Sequence, residues 1–433
     1  MSQLALLGGP KTRTEPYPPH PVIGAEEREL VGQVLDSGLL SGFIATAGEV
    51  FLGGPMVRKL EADVCDYIGV KHCVAVNSAT AGLHCACAAL GLGPGDEVIV
   101  PPYTMSASAT AILMTNAIPV FADIEPDMFC IDPESIRAKI TERTKAIVVV
   151  HLYGMAADMD AIMAIAREHG LGVIEDCAQA PGAHYKGKRV GTIGDLGVFS
   201  FNQHKTVTTG EGGLVVTNNE DYAVTAQLVR NHGEVIVDKM GVENIVDTLG
   251  WNYRMTELEA AVGIGQWHRL DELTEHRVRL FRRLEQRLVE IGSPALKLPP
   301  VREGCDHVYF LYAMRYDAEA AGVSRATFVE AMLAEGVPMG AGYVRPIYLE
   351  PAYQRLIGYG EQGCPFKCPL YTGTVDYSKG ICPTCERLYE EELVSTAICR
   401  YPLSEADVDD VADAFAKVLG ALPELAAYEA SKA

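Results

Sequence analysis

Seven short runs rich in Val and Ile, each four to six residues long and apolar throughout rather than at every second position, most constrain how this chain can fold. They are Cys73–Val76, Glu97–Pro101, Pro119–Ile124, Ala146–His151, Gly172–Glu175, Gly197–Phe201 and Gly213–Thr217. Continuous apolar character means a strand covered on both faces, and a helix-length segment or a turn such as Leu92–Asp96 separates each run from the next. Strands of this kind between helices predict an α/β layer on a largely parallel sheet. Such a sheet takes its ligands at the carboxyl ends of its strands, so functional side chains are expected where these runs stop.

The pattern changes after Asn252. Charged helical stretches over Thr256–Glu290 lead to an isolated strand at Val308–Tyr316, a helix at Arg325–Glu335 and a last amphipathic helix at Glu405–Leu419. The 433 residues therefore divide into an arm over 1–40, with prolines at 10, 16, 18, 19 and 21, a large domain over 41–270, and a smaller α+β domain over 271–433. The last begins on a bridging helix and carries a cysteine-containing insertion.

With 36 Lys and Arg against 57 Asp and Glu, the formal charge is −21, which disfavours nucleic acid and anionic membranes as partners. No window reaches the ~18 apolar residues of a membrane span. The opening residues lack the pattern of a signal peptide, so the cytosol is the expected compartment. Most of the twelve cysteines sit singly in apolar runs, as small hydrophobes of a reducing compartment. Cys364, Cys368, Cys382 and Cys385 form two close pairs that suit a tetrahedral zinc site on spacing alone. The prolines after Cys364 and Cys382 read as turn punctuation, and the expectation is that no metal is bound.

Asp176 ends an apolar run, which places a carboxylate at the ligand edge; a helix N-cap is the other reading. Further on, Ser200 closes a run, Lys205 follows, and Gly210-Glu-Gly-Gly213 turns the chain into the next run. One chemistry needs both the lysine and the carboxylate: pyridoxal phosphate, whose aldehyde condenses with a lysine amine while an aspartate pairs with the ring nitrogen. It also needs a phosphate cradle. Ser78, Ala79 and Thr80, small residues opening an apolar helix after the first run, leave backbone N–H groups and the positive helix end free for one. Taken alone they would equally be an ordinary capped helix. The competing nucleotide motifs are missing, since no G-x-G-x-x-G follows a strand and no G-x-x-x-x-G-K-[ST] occurs.

At these residues, and over nearly its whole length, the chain resembles the DegT/DnrJ/EryC1/StrS sugar aminotransferases, which are fold type I, aspartate aminotransferase-like pyridoxal phosphate enzymes. Their S-F-x-x-x-K-x-x-x-x-G-E-G-G signature falls on Ser200, Phe201, Lys205, Gly210, Glu211, Gly212 and Gly213. The resemblance implies that Lys205 holds the cofactor covalently and shuttles the proton of amino transfer. It implies that Asp176 meets the pyridine nitrogen, Gln179 the ring and its 3-hydroxyl, and Ser200 the phosphate together with the Ala79–Thr80 backbone. Gly250–Leu258 looks like the family's G-x-N-x-R stretch, in which Asn252 would reach the phosphate of a neighbouring subunit, implying a homodimer. Where the family places an aromatic residue on the cofactor face, Pro101-Pro-Tyr-Thr-Met105 has Met105, with stacking by Tyr103 as an alternative. Some relatives carry histidine in place of the lysine and act as sugar dehydratases; the three residues after Phe201 put Lys205, not His204, at that position.

The opening residues, Arg230–Gly233 and Tyr343–Tyr348 resemble the branch that aminates cyclitol ketones such as scyllo-inosose, with glutamate or glutamine as donor. That implies His232, Arg345 and Tyr348 in the substrate pocket, against a reading as loop-stabilising or surface residues. Two rival functions stay open: a nucleotide-linked ketosugar aminotransferase, and a non-catalytic regulatory or binding protein with the same fold.

Overall fold

In the computed structural model, which describes residues 4–242, 245–246 and 248–432, the seven apolar runs are the strands of one sheet. They are β1 (His72–Val76), β2 (Glu97–Val100), β3 (Ile118–Phe121), β4 (Thr144–Val150) and β5 (Gly172–Asp176). A small hairpin of β6 (His184–Tyr185) and β7 (Lys188–Arg189) then precedes β8 (Leu196–Ser200) and β9 (Gly213–Thr217). The spatial order is β1-β9-β8-β5-β4-β2-β3. From β8 to β3 every neighbouring pair is parallel, whereas β9 runs antiparallel to both of its neighbours. The reversal has a local cause: no helix lies between Ser200 and Gly213, and a parallel neighbour needs a crossover that only a helix-length connection supplies. Every residue of β8 and β9 is buried, as their unbroken apolar character requires.

A second sheet of β10 (Leu296–Lys297), β11 (Tyr312–Tyr316), β12 (Gly340–Ala341) and β13 (Leu393–Thr396), in the order β10-β11-β13-β12, is antiparallel throughout. The expected strand at Val308–Tyr316 starts late because Tyr309 is forced to a left-handed φ of 51° and the chain kinks there. The helix Leu270–Ile291 serves both cores: Leu270 and Leu273 pack against the large sheet, Leu280, Phe281, Leu284 and Leu288 against the small one. Its outer face is fixed by Arg283 and Arg287, which pair with Asp409 and Asp413 of the helix Glu405–Gly420. The arm lies on the small domain. Leu4 is buried there, the Glu335 carboxylate accepts from the Ala5 and Thr12 amides, and Arg13 pairs with Asp407 and Asp410.

One part of the chain lies elsewhere than its place in the sequence indicates. Tyr348, Tyr353, Phe366, Tyr371, Tyr377, Cys382 and Leu388 join the core of the large sheet, although they fall in the stretch assigned to the small domain. They cover the free edge of β3, which would otherwise present unpaired backbone groups. The Tyr377 hydroxyl donates to the Pro119 carbonyl at 2.7 Å, and the Asp123 carboxylate accepts from the amides of Thr384 and Cys385 at 2.8 and 3.0 Å. The four cysteines do not converge. Among the described residues, His151, Glu175 and Cys177 form the sole group that brings three metal-ligand atoms together, and Cys382 Sγ instead faces the Phe121 carbonyl. No helix among the described residues is long and apolar enough to cross a membrane.

Replacing Asp123 with alanine orphans two backbone donors at the start of the helix Pro383–Arg387. The expected outcome is a loss of about 1–3 kcal/mol in denaturant unfolding, with earlier proteolytic cleavage between residues 355 and 380 than in the parent protein.

Candidate active site

The alternation of side chains along a strand points Glu175 and Asp176 to opposite faces of β5. Glu175 is fully buried and satisfied on every side: its two oxygens accept from the amides of Gly191, Ile193 and Gly194 at 2.7–2.8 Å and from His151 Nε2 at 2.9 Å. His151 Nδ1 in turn accepts the Ala157 amide at 3.1 Å, so the ring proton sits on Nε2. Burial pushes the Glu175 carboxyl up, but the hydrogen bonds from His151 and the loop amides outweigh it and hold the group below its ordinary range.

Asp176 faces the carboxyl edge of the sheet. Ser108 Oγ donates to its Oδ2 at 2.8 Å and the Ala178 amide to its Oδ1 at 3.1 Å. No helix follows, so the N-cap reading fails and the two hydrogen bonds hold the carboxyl group in place at the ligand edge.

Lys205 leaves the end of β8 in a turn closed by its own amide on the Asn202 carbonyl at 2.9 Å. Burial pulls its amine down to about 8 against the opposing pull of Asp176, which makes it a usable nucleophile and base. Its Nζ lies 4.6 Å from the centre of the Phe310 ring. Phe310 carries no sequence signal; it is delivered by the kink at Tyr309, by its amide on the Tyr153 carbonyl at 2.7 Å, and by Arg277 Nη1, which donates to the Tyr309 and Phe310 carbonyls.

The cradle stands beside them. Ser78 caps the helix Ala79–Ala89 by accepting the Ala81 amide at 3.1 Å, which leaves the Ala79 and Thr80 N–H groups at the positive helix end without intrahelical partners. Gly213 pairs with Val76 of β1, and a Cβ there would lie 2.5 Å from the Ala79 nitrogen, so only glycine lets β9 start against the cradle. Ser200, nearly buried at the end of β8, supplies a hydroxyl. Amine, carboxylate, unpaired amides and hydroxyl together match what pyridoxal phosphate requires.

Gln179 is locked at both ends: Oε1 accepts the Tyr153 amide at 2.8 Å and Nε2 donates to the Tyr343 hydroxyl at 2.9 Å. Tyr103, 0% exposed, uses its hydroxyl to accept the Tyr343 amide. Its ring has no open face, so the stacking alternative fails, and Met105, 58% exposed, is the open side chain of that segment.

Tyr348 does not line a pocket. It is fully buried, donates its hydroxyl to Glu386 and packs on Phe121, because the insertion closes over it. Arg345, three residues earlier, is exposed and has no partner among the described residues. His232, with a left-handed φ of 55°, is partly exposed 3.9 Å from the Glu234 carboxylate. Asn252 is exposed, accepts from Arg254 Nε at 2.8 Å, and lies on a segment bridged to Asn231 beside His232. A cavity of about 660 Å³ between the bridging helix and residues 301–309 holds none of the residues predicted for the site.

Comparison with known proteins identifies the family. The pattern of the DegT/DnrJ/EryC1/StrS aminotransferase family matches residues 43–376. GDP-perosamine synthase of Caulobacter vibrioides is 38% identical over 78% of this chain and 86% of its own length. The L-glutamine:2-deoxy-scyllo-inosose aminotransferase of Streptoalloteichus tenebrarius is 36% identical over 96% of this chain and 97% of its own. The crystal structure of an aminotransferase from Psychrobacter cryohalolentis superposes with a TM-score of 0.79, at 31% identity, over 92% of this chain and 98% of that one.

Covalent capture of pyridoxal phosphate by the cofactor-free protein, trapped with borohydride and read by mass, is expected to rise with pH through about 8 rather than near 10.5. Lys205→Ala should give no trapped adduct. Gly213→Ala should weaken cofactor binding by about tenfold or more while leaving the lysine in place.

Proposed function

We propose that this chain, which belongs to the DegT/DnrJ/EryC1/StrS aminotransferase family, carries an amino group from glutamine or glutamate to the ketone of a cyclic polyol resembling scyllo-inosose. Its architecture is that of fold type I, and it is a pyridoxal phosphate-dependent aminotransferase of amino-sugar or aminocyclitol biosynthesis. The observation that carries the cyclitol assignment is recurrence: five aminotransferases named for inosose substrates are 35–37% identical to this chain over 96–98% of its length and 97–99% of their own.

Bound pyridoxal phosphate supplies an electrophilic carbon and a ring that accepts the electron pair released at the donor's Cα. The residues do the rest. Ala79, Thr80 and Ser200 hold the phosphate, Gln179 faces the ring and its 3-oxygen, and Asp176, clamped by Ser108 and Ala178, keeps the ring nitrogen protonated. As a free amine, Lys205 would take the proton from the donor's Cα and deliver it to the cofactor carbon on the other side of the nitrogen, two bonds away. His232 and Arg345 are the side chains offered to the ketone substrate.

The working unit in this reading is a homodimer in the cytosol. Exposed Leu40, Ile44, Leu249 and Trp251 lie on the segments before and beside Asn252, an apolar surface suited to a second copy and to Asn252 reaching that copy's phosphate. The nucleotide-linked ketosugar alternative has two observations in its favour: the 38% identity to the perosamine synthase, and the likeness, over 99% of both chains, to DesI solved with its TDP-sugar product.

The test is to follow the cofactor's absorbance. Glutamine or glutamate should bleach the resting band, and a keto-cyclitol should restore it; recovery with nucleotide-linked ketosugars alone would overturn the cyclitol assignment. Protein that cannot take up the cofactor would favour the binding-protein rival. In Asp176→Asn, cofactor content and circular dichroism should stay near those of the parent protein while kcat falls about 10²- to 10⁴-fold.

A further inference from the structure

The Lys205 amine is desolvated, yet among the described residues its Nζ donates no hydrogen bond and enters no ion pair. Asp176 acts on it through space. What meets the amine directly is the Phe310 ring, whose centre lies 4.6 Å from Nζ. An aromatic face is electron-rich and attracts a cation within about 6 Å, most strongly where water is excluded. A neutral amine gains far less from the same face. The ring therefore discriminates between the two protonation states of Lys205.

Core packing does not account for this placement, since Phe310 is half-buried while Val308 and Tyr309 before it are buried. Three constraints hold it instead. Tyr309 takes a left-handed φ of 51°, and Tyr153, whose carbonyl accepts the Phe310 amide at 2.7 Å, takes one of 57°. Such backbone strain in bulky residues persists only where the surroundings over-determine it. Here the Tyr309 ring is stacked against His307 at 3.9 Å and against Phe281 at 5.3 Å. Arg277, 4% exposed on the bridging helix, then donates from Nη1 to the Tyr309 and Phe310 carbonyls at 3.3 and 3.2 Å, while its Nε has no partner. A desolvated guanidinium spent on two carbonyls is a costly brace for a phenylalanine with no task.

In amino transfer the free amine of Lys205 becomes charged when it takes the donor's Cα proton: the C–H bond breaks, its electron pair goes to the cofactor ring, and the new N–H bond makes Nζ an ammonium. We propose that Phe310 is a catalytic residue whose ring face stabilises that ammonium, with Arg277 as the positioning residue that keeps the face on Nζ. The attraction acts only while Nζ carries the extra proton and fades when the proton is passed on. It strengthens the amine as a base without a hydrogen bond that would have to break at each transfer. The inference rests on the aminotransferase activity and adds a residue to the proton transfer of that same site.

The test places mono-, di- and trifluorinated phenylalanine at position 310, which keeps shape and packing while draining charge from the ring face. In the cofactor-free protein, competitive acetylation of Lys205 read by peptide mass gives the pH at which the amine is half protonated. That midpoint, about 8 in the parent protein, should fall with each added fluorine. In the cofactor-loaded protein, well above the midpoint, release of deuterium from Cα-deuterated glutamine should slow in the same order, by about 2- to 30-fold at three fluorines. The KM for glutamine should not change. Phe310→Leu, an apolar cover without an aromatic face, should resemble the trifluorinated protein on both measurements. In Arg277→Gln, where the brace is gone, fluorination should have less effect than in the parent protein. A midpoint and a deuterium-release rate that do not follow the number of fluorines would overturn the proposal. So would a loss in Phe310→Leu that the fluorinated rings do not share, the mark of packing alone. A protein inert to every amine would fail the aminotransferase activity itself, and the acetylation midpoints would still decide whether Phe310 stabilises the charge on Lys205.

Discussion

A carboxylate buried in a sheet must have every lone pair answered, and Glu175 is where this fold meets that demand. Its partners are the end of β4, through His151, and the 191–194 loop that leads into β8. Satisfying it fixes three neighbouring elements at once. The opposite face of β5 then delivers Asp176, the end of β4 delivers the Tyr153 amide that orients Gln179, and β8 delivers Ser200 and the turn bearing Lys205. The chemistry of the edge thus hangs on an acid that takes no part in it.

The strands were legible because burial on both faces leaves a continuous apolar run, a signal that survives without tertiary information. Asp176, Ser200, Lys205 and Gly213 were legible because each sits where such a run ends or turns. Tyr348 was not, since a tyrosine in a loop reads alike whether it meets solvent or is closed over by a distant segment; its partner Glu386 lies 38 residues on. Tyr103 failed for a related reason, its hydroxyl being claimed by an amide 240 positions away. Phe310 had no local signal at all, because a kink at a non-glycine residue and an arginine on another helix place it. The insertion's attachment to β3 depends on the free edge of a sheet, which only the strand order reveals.

Net charge and local charge also part company here. A surface of −21 describes how the molecule meets the solvent, screened beyond about 8 Å at physiological salt. Inside that distance the site is governed by free amides at a helix end and by a lysine whose amine is half discharged near pH 8. An acidic protein can therefore hold anionic groups, provided they come close enough to leave the mean field behind.

The helix shared by the two cores has a mechanical consequence. Its 22 residues make a rod about 33 Å long, anchored at Leu270 in one body and at Leu280–Leu288 in the other. A tilt of about 5° about the Leu270 end would carry the far tip some 3 Å but Arg277, a third of the way along, by only about 1 Å. The arginine that steadies Phe310 against the lysine thus sits near the fulcrum of a lever, where rocking of the smaller body is felt least.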